Sequence, residues 1–263
     1  MSDESSKQAT FWDHLDQLRS TLIRIVVVLM VFSIAAFFFK DWLFYIIFAP
    51  KDSSFITYKL LGSDSFAINL INTNLTGQFM THLKVSICAG VVACSPYIIY
   101  ALFQFVSPAL YESEKKYSFR IIFGAYLMFV LGSVINYFII FPLTLRFLGT
   151  YSVSLEVSNL LTLDSYINTL ITMTIIFGII FEIPILSWLL AKFGLLKKQW
   201  MQKYRKHAIV AILILAAIIT PTSDVLTLII VSLPIWLLYE VSIVIVGREE
   251  KRKVLSNNYN KLS

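Results

Sequence analysis

Two carboxylates in a short polar connector are the first residues whose type and spacing could do chemistry. The connector runs from Phe105 to Lys116 between two long apolar segments, and it carries Glu112 and Glu114 next to paired lysines. A carboxylate can accept two parallel N–H bonds from a guanidinium, which distinguishes Arg from Lys. A Pro, a Tyr and clustered charges are also typical of a helix boundary at a membrane surface. The connector is therefore either a plain helix boundary or a binding site.

A further carboxyl, Glu182, lies inside an apolar segment. It stands about ten residues before Lys192, which at about 1.5 Å per residue places it some 15 Å deep, near the middle of a bilayer. A carboxylate at that depth costs a few kcal/mol at least, so it is expected to face a polar partner or a water-filled cavity and to mark function. Pro184 removes the hydrogen bond to the carbonyl of Ile180, which predicts a bend beside Glu182.

The sequence offers no metal site and no nucleophile. The three His residues are scattered, His82 has no second ligand at helical spacing, and neither a Ser-His-Asp order nor an HExxH motif occurs. Cys88 and Cys94 fall on different faces of one helical segment, which excludes a disulfide between them. We therefore expect no metal, no cofactor and no enzymatic activity.

The composition is that of an integral membrane protein. Of the 263 residues, 57% are hydrophobic and only 14% are charged, too few for a wetted surface. The net charge of +6 does not indicate nucleic acid, because the bases cluster in particular loops and the aromatic residues lie in apolar runs. We predict an all-α protein with a single membrane domain, residues 1–263. Its six predicted transmembrane helices are at about residues 22–39, 82–105, 121–141, 166–190, 208–219 and 225–246.

The fifth segment is too short to cross an undeformed bilayer. At about 1.5 Å per residue it reaches some 18 Å, against a hydrocarbon core of about 30 Å. The chain reverses directly after it, at Thr220-Pro-Thr-Ser-Asp224. Segments five and six are therefore predicted to form a short hairpin that stops before the far face, where the lipid is expected to thin.

The basic residues predict that both termini are cytoplasmic. All but five of the 22 Lys and Arg residues fall in the N-terminus, the loops after segments two and four, and the C-terminal tail at 247–263. The polybasic loop and tail are expected to anchor the topology and to contact anionic lipid. The opposite side carries Lys40, Lys51, Lys59, Lys84 and Arg146.

Two regions flank the first span. Residues 1–21 include apolar positions at helical spacing from Phe11 onward, which predicts an amphipathic start that lies along the cytoplasmic interface before it turns into the membrane. Residues 40–81 form the longest non-spanning stretch, where Pro50 is expected to end an aromatic interfacial segment. Aromatic and aliphatic residues beyond it predict a small folded outer cap.

Several of these stretches resemble the TatC family, the polytopic core subunit of the twin-arginine protein translocase. The connector is similar to the family's first cytoplasmic loop. His14-Leu15 and Leu18-Arg19 resemble its N-terminal signature, His-Leu-x-Glu-Leu-Arg, although Gln17 stands where the family has Glu. The sequence from Asn136 to Pro142 resembles the family's outer end of segment three.

The resemblance continues to the end of the last span. It covers the turn that ends at Asp224, with its Thr-Pro, and the later Pro234 and Tyr239-Glu240. Leu228 departs, because a Gln is common at that place in the family. No single motif is strong, but six segments occur in the family's order and spacing.

The resemblance implies a receptor and assembly platform with a concave TatC-like architecture in the bacterial cytoplasmic membrane. In the family, one carboxylate in the N-terminal signature and one in the first loop engage the paired arginines of a signal peptide. Glu114 matches the loop carboxylate, and neutral Gln17 replaces the other. We hypothesise that Asp13, which is four residues earlier on the same helical face, or Glu112 supplies the missing charge.

The resemblance also implies partners and further contact residues. The expected partners are twin-arginine signal peptides of folded precursors, single-span subunits of the TatA and TatB type, other copies of this chain and membrane lipid, with no nucleic acid. Export would be driven by the proton-motive force. The signal-peptide site is expected to include Arg19, Phe105, Leu110 and Tyr111, and structural or partner contacts are expected at Pro50, Tyr137 and Asp224.

A small secondary transporter or proton-coupled channel is the alternative, with Glu182 as its coupling site. Inverted repeats would favour it, yet the two halves of the sequence have unequal loops and only the second contains a short hairpin. In the TatC-like alternative, Glu182 would face the concave interior where a partner helix or an inserted signal peptide docks.

Overall fold

The chain folds as a bundle of long apolar helices. The structure, a computed structural model, describes residues 11–62, 68–106, 118–151, 160–220 and 224–262. The prediction of an all-α integral membrane protein is confirmed, because five helical runs in these ranges are long and apolar enough to cross a membrane. These runs are Leu15–Phe38, Gly77–Phe105, Phe119–Thr150, Leu163–Lys192 and Val225–Lys253.

The helices are numbered in chain order. In the first half of the described ranges they are α1 Phe11–Phe38, α2 Lys40–Phe48, α3 Ile56–Leu60, α4 Gly77–Val106, α5 Ser118–Ile135 and α6 Phe141–Thr150. In the second half they are α7 Leu163–Ile180, α8 Ile183–Lys192, α9 Lys198–Lys203, α10 Arg205–Ile219 and α11 Val225–Leu262. A 3₁₀ turn, Ala49–Lys51, follows α2, and a π-helical segment, Asn136–Ile140, joins α5 to α6.

The amphipathic start and the first span are one helix. α1 runs unbroken from Phe11 to Phe38, and the apolar run that can cross begins at Leu15, earlier than the predicted residue 22. No Gly or Pro interrupts this stretch, so nothing in its backbone chemistry stops the helix. The expected turn between an interfacial start and the membrane span is therefore not found in α1.

α1 packs antiparallel against α4. The carbonyl of Phe37, near the end of α1, lies 3.1 Å from Nε2 of His82, near the start of α4, and the two rings stack with centroids 4.0 Å apart. Further along, Gly90 lies directly against Ser33, where an added Cβ would be 2.9 Å from the backbone nitrogen of Ser33. His82 is thus a packing residue at a helix boundary.

The third span continues past Pro142, where the sequence predicted its end. α5 passes through the π-helical segment into α6, which ends at Thr150. Pro142 has no N–H to donate to the carbonyl of Phe138 four residues back. That carbonyl instead accepts a hydrogen bond from the hydroxyl of Thr57, in the cap. The carbonyl that the proline leaves free thus has a partner from the cap, and Pro142 itself lies in the first turn of α6, where a proline is tolerated.

α10 and α11 form the last pair of apolar helices. α10 has 15 residues, which at about 1.5 Å each span some 22 Å, so it is still shorter than the hydrocarbon core. α11 has 38 residues and continues through the predicted basic tail to Leu262. The tail is thus the last part of a long helix, as far as the described residues reach.

The core lies between the third, fourth and last spans, under the cap. Phe141, Tyr166 and Phe177 are among its largest fully buried side chains. A two-residue parallel strand pair, β1 Leu70–Ile71 and β2 Leu161–Thr162, links the cap to the start of α7. Outside this core, the many exposed apolar side chains of the spans are what a lipid environment requires.

Candidate functional site

Glu182 lies at a break within the fourth span. α7 ends at Ile180 and α8 begins at Ile183, and the N–H of Glu182 bonds to the carbonyl of Ile179, only three residues back, at 3.0 Å. The cause is Pro184, which has no N–H for the carbonyl of Ile180. The bend predicted from the sequence is therefore present beside Glu182.

The carboxyl of Glu182 is half-buried. Its Oε1 atom is enclosed and has no hydrogen-bond partner among the residues that the structure describes. An enclosed polar oxygen without a partner costs free energy, and the cost is larger for a charged group. The position is therefore suited to receive a hydrogen-bond donor that is not part of the described chain.

Two glycines bring the third and fourth spans into close contact near this break. A Cβ added to Gly132 would lie 2.6 Å from the carbonyl oxygen of Phe177 and 2.8 Å from the ring of Phe181. A Cβ on Gly178 would lie 2.5 Å from the ring of Phe129. Since only glycine permits these approaches, the two residues fix the helix that carries Glu182 against its neighbour.

The outer cap is attached to the spans through backbone carbonyls. Pro50 cannot donate to the carbonyl of Ile46 four residues back, and that carbonyl accepts from the N–H of Ala49 and, at 2.6 Å, from the hydroxyl of Tyr137. The hydroxyl of Tyr166 donates to the carbonyl of Ile47, the residue after Ile46, at 2.7 Å. Pro50 and Tyr137, both predicted contact residues, are thus part of one structural joint.

Tyr58 completes this joint. Its hydroxyl lies within hydrogen-bonding distance of two carbonyls, that of Pro50 at 2.9 Å and that of Pro142 at 3.0 Å. Burial raises the pKa of the Tyr58 hydroxyl well above its usual value, an effect that the positive charge of Arg146 partly opposes. The phenol therefore remains a protonated donor at any physiological pH. The sequence gives no local signal for this role, because the partners are 8 and 84 residues away.

Asp224 caps the last helix. Its carboxylate accepts a hydrogen bond from the N–H of Thr227 at 2.7 Å, and its carbonyl accepts one from Leu228 at 3.1 Å. This is an N-cap arrangement, in which the carboxylate serves one of the free N–H groups of the first turn. Leu228, which occupies the place where the family commonly has Gln, packs against the core.

An apolar groove lies between the first four spans and α2. It has a volume of about 930 Å³ and is lined almost entirely by apolar side chains, among them Phe32, Trp42 and Ile171. Tyr137 also lines it, on the side of the cap. Glu182 is not among the described residues that line this groove.

The start of α1 and the end of α4 meet at one end of the bundle. Continuing the antiparallel register of these helices brings Gln17 level with Phe105. Gln17 and Arg19 are exposed, Phe105 is half-buried, and the carbonyl of Gln17 accepts a hydrogen bond from the hydroxyl of Thr21 at 2.9 Å. Three of the residues predicted for peptide binding, Gln17, Arg19 and Phe105, therefore lie toward the same end of the α1–α4 pair.

The remaining predicted binding residues lie outside what the structure describes. Leu110, Tyr111 and Glu114, together with Glu112, belong to residues 107–117, which fall between the described ranges. The backbone of Asp13 is part of α1, but its side chain is outside the described atoms. The pairing of acidic groups inferred from the sequence thus stays a prediction.

Polar contacts at the end of α8 were missed from the sequence. Trp188 Nε1 donates to Glu249 Oε2 at 3.1 Å, and the backbone N–H of Lys198 donates to Glu250 Oε1 at 3.0 Å. The ammonium of Lys253 donates to the last carbonyls of α8. Only the basic residues of the tail were used for prediction, so Glu249 and Glu250 were not considered. Their partners are more than 50 residues away in the chain and give no local signal.

These features define a polytopic helical membrane protein with a broken fourth span, an enclosed carboxyl and a folded cap. The model of one family, the Sec-independent protein translocase protein (TatC), matches residues 13–234. This chain therefore belongs to the TatC family, as its sequence resemblance predicted. It is a component of the Sec-independent protein translocase and a multi-pass protein of the bacterial cytoplasmic membrane.

Relatives and solved structures agree with this assignment. The Sec-independent protein translocase protein TatC of Blattabacterium sp. subsp. Periplaneta americana is 34% identical over 258 residues, which cover 92% of this chain and 97% of the relative. That of Aquifex aeolicus is 34% identical over 242 residues, 92% of this chain and 95% of the relative. A crystal structure of a twin-arginine translocase receptor, TatC, is 33% identical with a TM-score of 0.77, covering 90% of this chain and 99% of that chain.

Proposed function

We propose that this chain is the twin-arginine signal-peptide receptor and the core of a translocase that exports folded proteins using the proton-motive force. The observation that carries the proposal is the likeness, over 90% of this chain, to a structure described as a twin-arginine translocase receptor. Family membership also speaks against the alternative of a proton-coupled transporter. The chain itself carries out no catalytic turnover in this proposal.

The proposed topology has six spans and both termini in the cytoplasm. It is supported by the apolar character of α10, the fifth segment, although this helix is shorter than an ordinary span, and by the clustering of basic residues in the N-terminus, the loops after segments two and four, and the C-terminal tail. The antiparallel packing of α1 and α4 is consistent with two consecutive spans. Under this topology, Gln17 and Phe105 face the compartment from which a precursor arrives.

Glu114 is the principal carboxylate for the arginine pair in this proposal. Gln17 occupies the other carboxylate position without a charge, and its side chain is exposed. Asp13 or Glu112 supplies the second charge. The site is completed by Arg19 of α1, by Phe105 at the end of α4, and by Leu110 and Tyr111 of the connector.

Glu182 is proposed as an intramembrane polar site for a partner helix or an inserted signal peptide. The support is its enclosed Oε1 without a partner among the described residues, at a break that Pro184 creates. The proposed partners are single-span subunits of the TatA and TatB type and other copies of the chain. The 930 Å³ apolar groove, which Glu182 does not line, offers a separate surface within the bilayer for a single-span partner helix.

Deletion of the gene tests the function directly. A strain without any other copy should retain a folded twin-arginine reporter protein in the cytoplasm, and the intact gene on a plasmid should restore its export. Export that continues undiminished in the deletion strain would remove the proposal.

Photo-crosslinking from the connector to a twin-arginine peptide tests the site, with a Lys-Lys peptide as the matched control. A peptide that crosslinks at Glu114 equally well in the wild type and Asp13→Ala would exclude Asp13 as the second acid.

A further inference from the structure

One face of the last helix, α11, closes on the end of α8. Ile243, Val246, Glu250 and Lys253 recur along α11 at spacings of three and four residues, so they share one side of the helix, and Glu249 lies beside them. The first two positions are apolar, and the positions from Glu249 on are polar. These five residues are called the clamp.

The apolar part of the clamp packs against both helices that flank the loop after α8. Ile243 and Val246 are buried in one cluster with Ala191, in the last turn of α8, and Met201, in α9. A buried apolar cluster is stabilised by the area that it removes from water, and this one includes residues from three helices. The end of α8 and the start of α9 are therefore both fixed to α11.

The polar part of the clamp caps the same two helices. The ammonium of Lys253 donates to the carbonyl of Ala191 at 3.0 Å and to that of Lys192, in the last turn of α8, where a cation is favoured by the helix dipole. The N-cap residue of α9 forms no side-chain bond of its own. Glu250 supplies this bond instead, since it accepts from the backbone N–H of Lys198 at 3.0 Å.

α8 can change direction at its other end, where the break lies. It begins at Ile183, and Pro184 leaves the carbonyl of Ile180 without a helical donor, so no continuous ladder of hydrogen bonds ties α8 to α7. Its ten residues are about 15 Å long, and a pivot of about 20° at a proline would move its far end by about 5 Å. The clamp and Glu182 lie at opposite ends of this short helix.

α11 is the main support of α8. α8 packs chiefly against α11, and Glu249, whose side chain is only 12% exposed, accepts from Trp188 Nε1 at 3.1 Å about one turn before α8 ends. The direction of α8 is therefore set by contacts with α11, among which those of the clamp act at the end that moves most.

We propose that Glu249, Glu250 and Lys253 are positioning residues, which hold α8 in one orientation and thereby keep the carboxyl of Glu182 enclosed at the break. They act on Glu182 through α8, from its opposite end. The polar residues of the tail then have a task besides the lipid contact that its basic residues predict. The inference rests on the proposed function only where export is measured, because the position of α8 is measured directly.

Distance measurement by pulsed electron paramagnetic resonance tests the proposal on the full-length protein in nanodiscs. Spin labels are attached to Ile23→Cys, on α1, and Leu190→Cys, near the far end of α8, two positions with exposed side chains. Cys88 and Cys94, the two free cysteines, are replaced by alanine in every sample. The intact clamp should give a single narrow distance between the labels.

The clamp variant, Glu249→Met/Glu250→Met/Lys253→Met, removes the two acceptors and the donor at similar side-chain size. It should shift or broaden the distance between the labels by about 5 Å, the movement that a pivot at the break allows. Export of a folded twin-arginine reporter should fall in the same variant, because Glu182 would no longer be held in place.

The matched control changes the charge and keeps the hydrogen bonds. Glu249→Gln/Glu250→Gln/Lys253→Arg removes two negative charges, whereas the clamp variant removes two negative charges and one positive charge. Its amide oxygens still accept and its guanidinium still donates. This control should keep the distance and the export of the wild type.

Two outcomes would overturn the proposal. An unchanged distance in the clamp variant would show that other contacts orient α8. An equal shift in the matched control would show that net charge, and not the hydrogen bonds, places the helix. A shifted distance with unimpaired export would support the clamp and contradict the proposed role of Glu182. Thermal unfolding identifies a clamp variant that fails to fold, in which case Lys253→Met alone replaces it and should shift the distance in the same direction.

Discussion

The hydroxyl of Tyr137 donates a 2.6 Å hydrogen bond to the backbone carbonyl of Ile46, and this bond joins the third span to the outer cap. Tyr137→Phe removes the donor and keeps the ring. We expect it to lower the free energy of unfolding by about 1 kcal/mol, a modest loss because the N–H of Ala49 still serves the carbonyl. Thermal unfolding in detergent measures the change. Tyr45→Phe, in the same cap but with a 78% exposed side chain, is the control and should leave the melting temperature unchanged.

Two prolines, one in the third span and one in the fourth, show what the sequence could and could not predict. Pro184 breaks the fourth span, as predicted, because the effect of a missing N–H on its own helix is local. The third span was predicted to end at residue 141, yet the helix continues past Pro142 to Thr150. Thr57, 81 residues from Phe138 in the chain, donates to the carbonyl that the proline leaves free. A donor from so far along the chain cannot be read from local sequence.

The candidate site, like the prolines, was only partly predictable from the sequence. The composition and the ordered motifs were enough to predict the helical membrane fold and the family. The position of Glu182 within an apolar run, ten residues before Lys192, could be read from the sequence, and its depth in the bilayer stays a prediction. The partners of Trp188 and Tyr58 could not be predicted, because hydrogen bonds between separate helices depend on how those helices pack. The sequence also did not predict that α1 is continuous, since an amphipathic pattern has the same form in an interfacial helix and in the end of a span.

Restoring a carboxylate at Gln17 tests how the arginine pair is recognised. Glu114→Ala should reduce the affinity for a twin-arginine peptide by about 10- to 150-fold, the range that the loss of a charge-assisted bond of about 1.5–3 kcal/mol implies. Gln17→Glu should strengthen binding and should partly rescue Glu114→Ala, because it returns one of two acids. Fluorescence anisotropy with a labelled peptide measures both effects.

Asp16→Asn is the control for this experiment. Asp16 is next to Gln17 in sequence but about 100° away around the helix, so its loss changes the net charge without changing the face of Gln17. A reduction as large as that of Glu114→Ala would mean that total negative charge, and not a positioned carboxylate, attracts the peptide. Failure of Gln17→Glu to alter binding in either background would contradict a role for this face of α1.

Replacing Glu182 should separate stability from export. Glu182→Leu removes an enclosed oxygen that has no partner among the described residues, so the free energy of unfolding should stay equal or rise by about 1 kcal/mol. Export of a folded twin-arginine reporter should nonetheless fall. Unfolding is followed in detergent and export by cell fractionation, with Ile183→Leu as a matched change at the next residue. A variant that loses stability and export together would point to a structural role for this carboxyl.

The close contact of the third and fourth spans can be tested at Gly132. Gly132→Ala places a methyl group 2.6 Å from the backbone oxygen of Phe177, which cannot move aside as a flexible side chain could. We expect a loss of about 1–3 kcal/mol in the free energy of unfolding. Gly124→Ala, on the same helix, adds the same methyl group where its nearest neighbour is 3.7 Å away, and it should be close to neutral. Because both changes alter helix propensity alike, the difference between their unfolding free energies isolates the contact, and equal values would mean that the spans do not approach as closely as described.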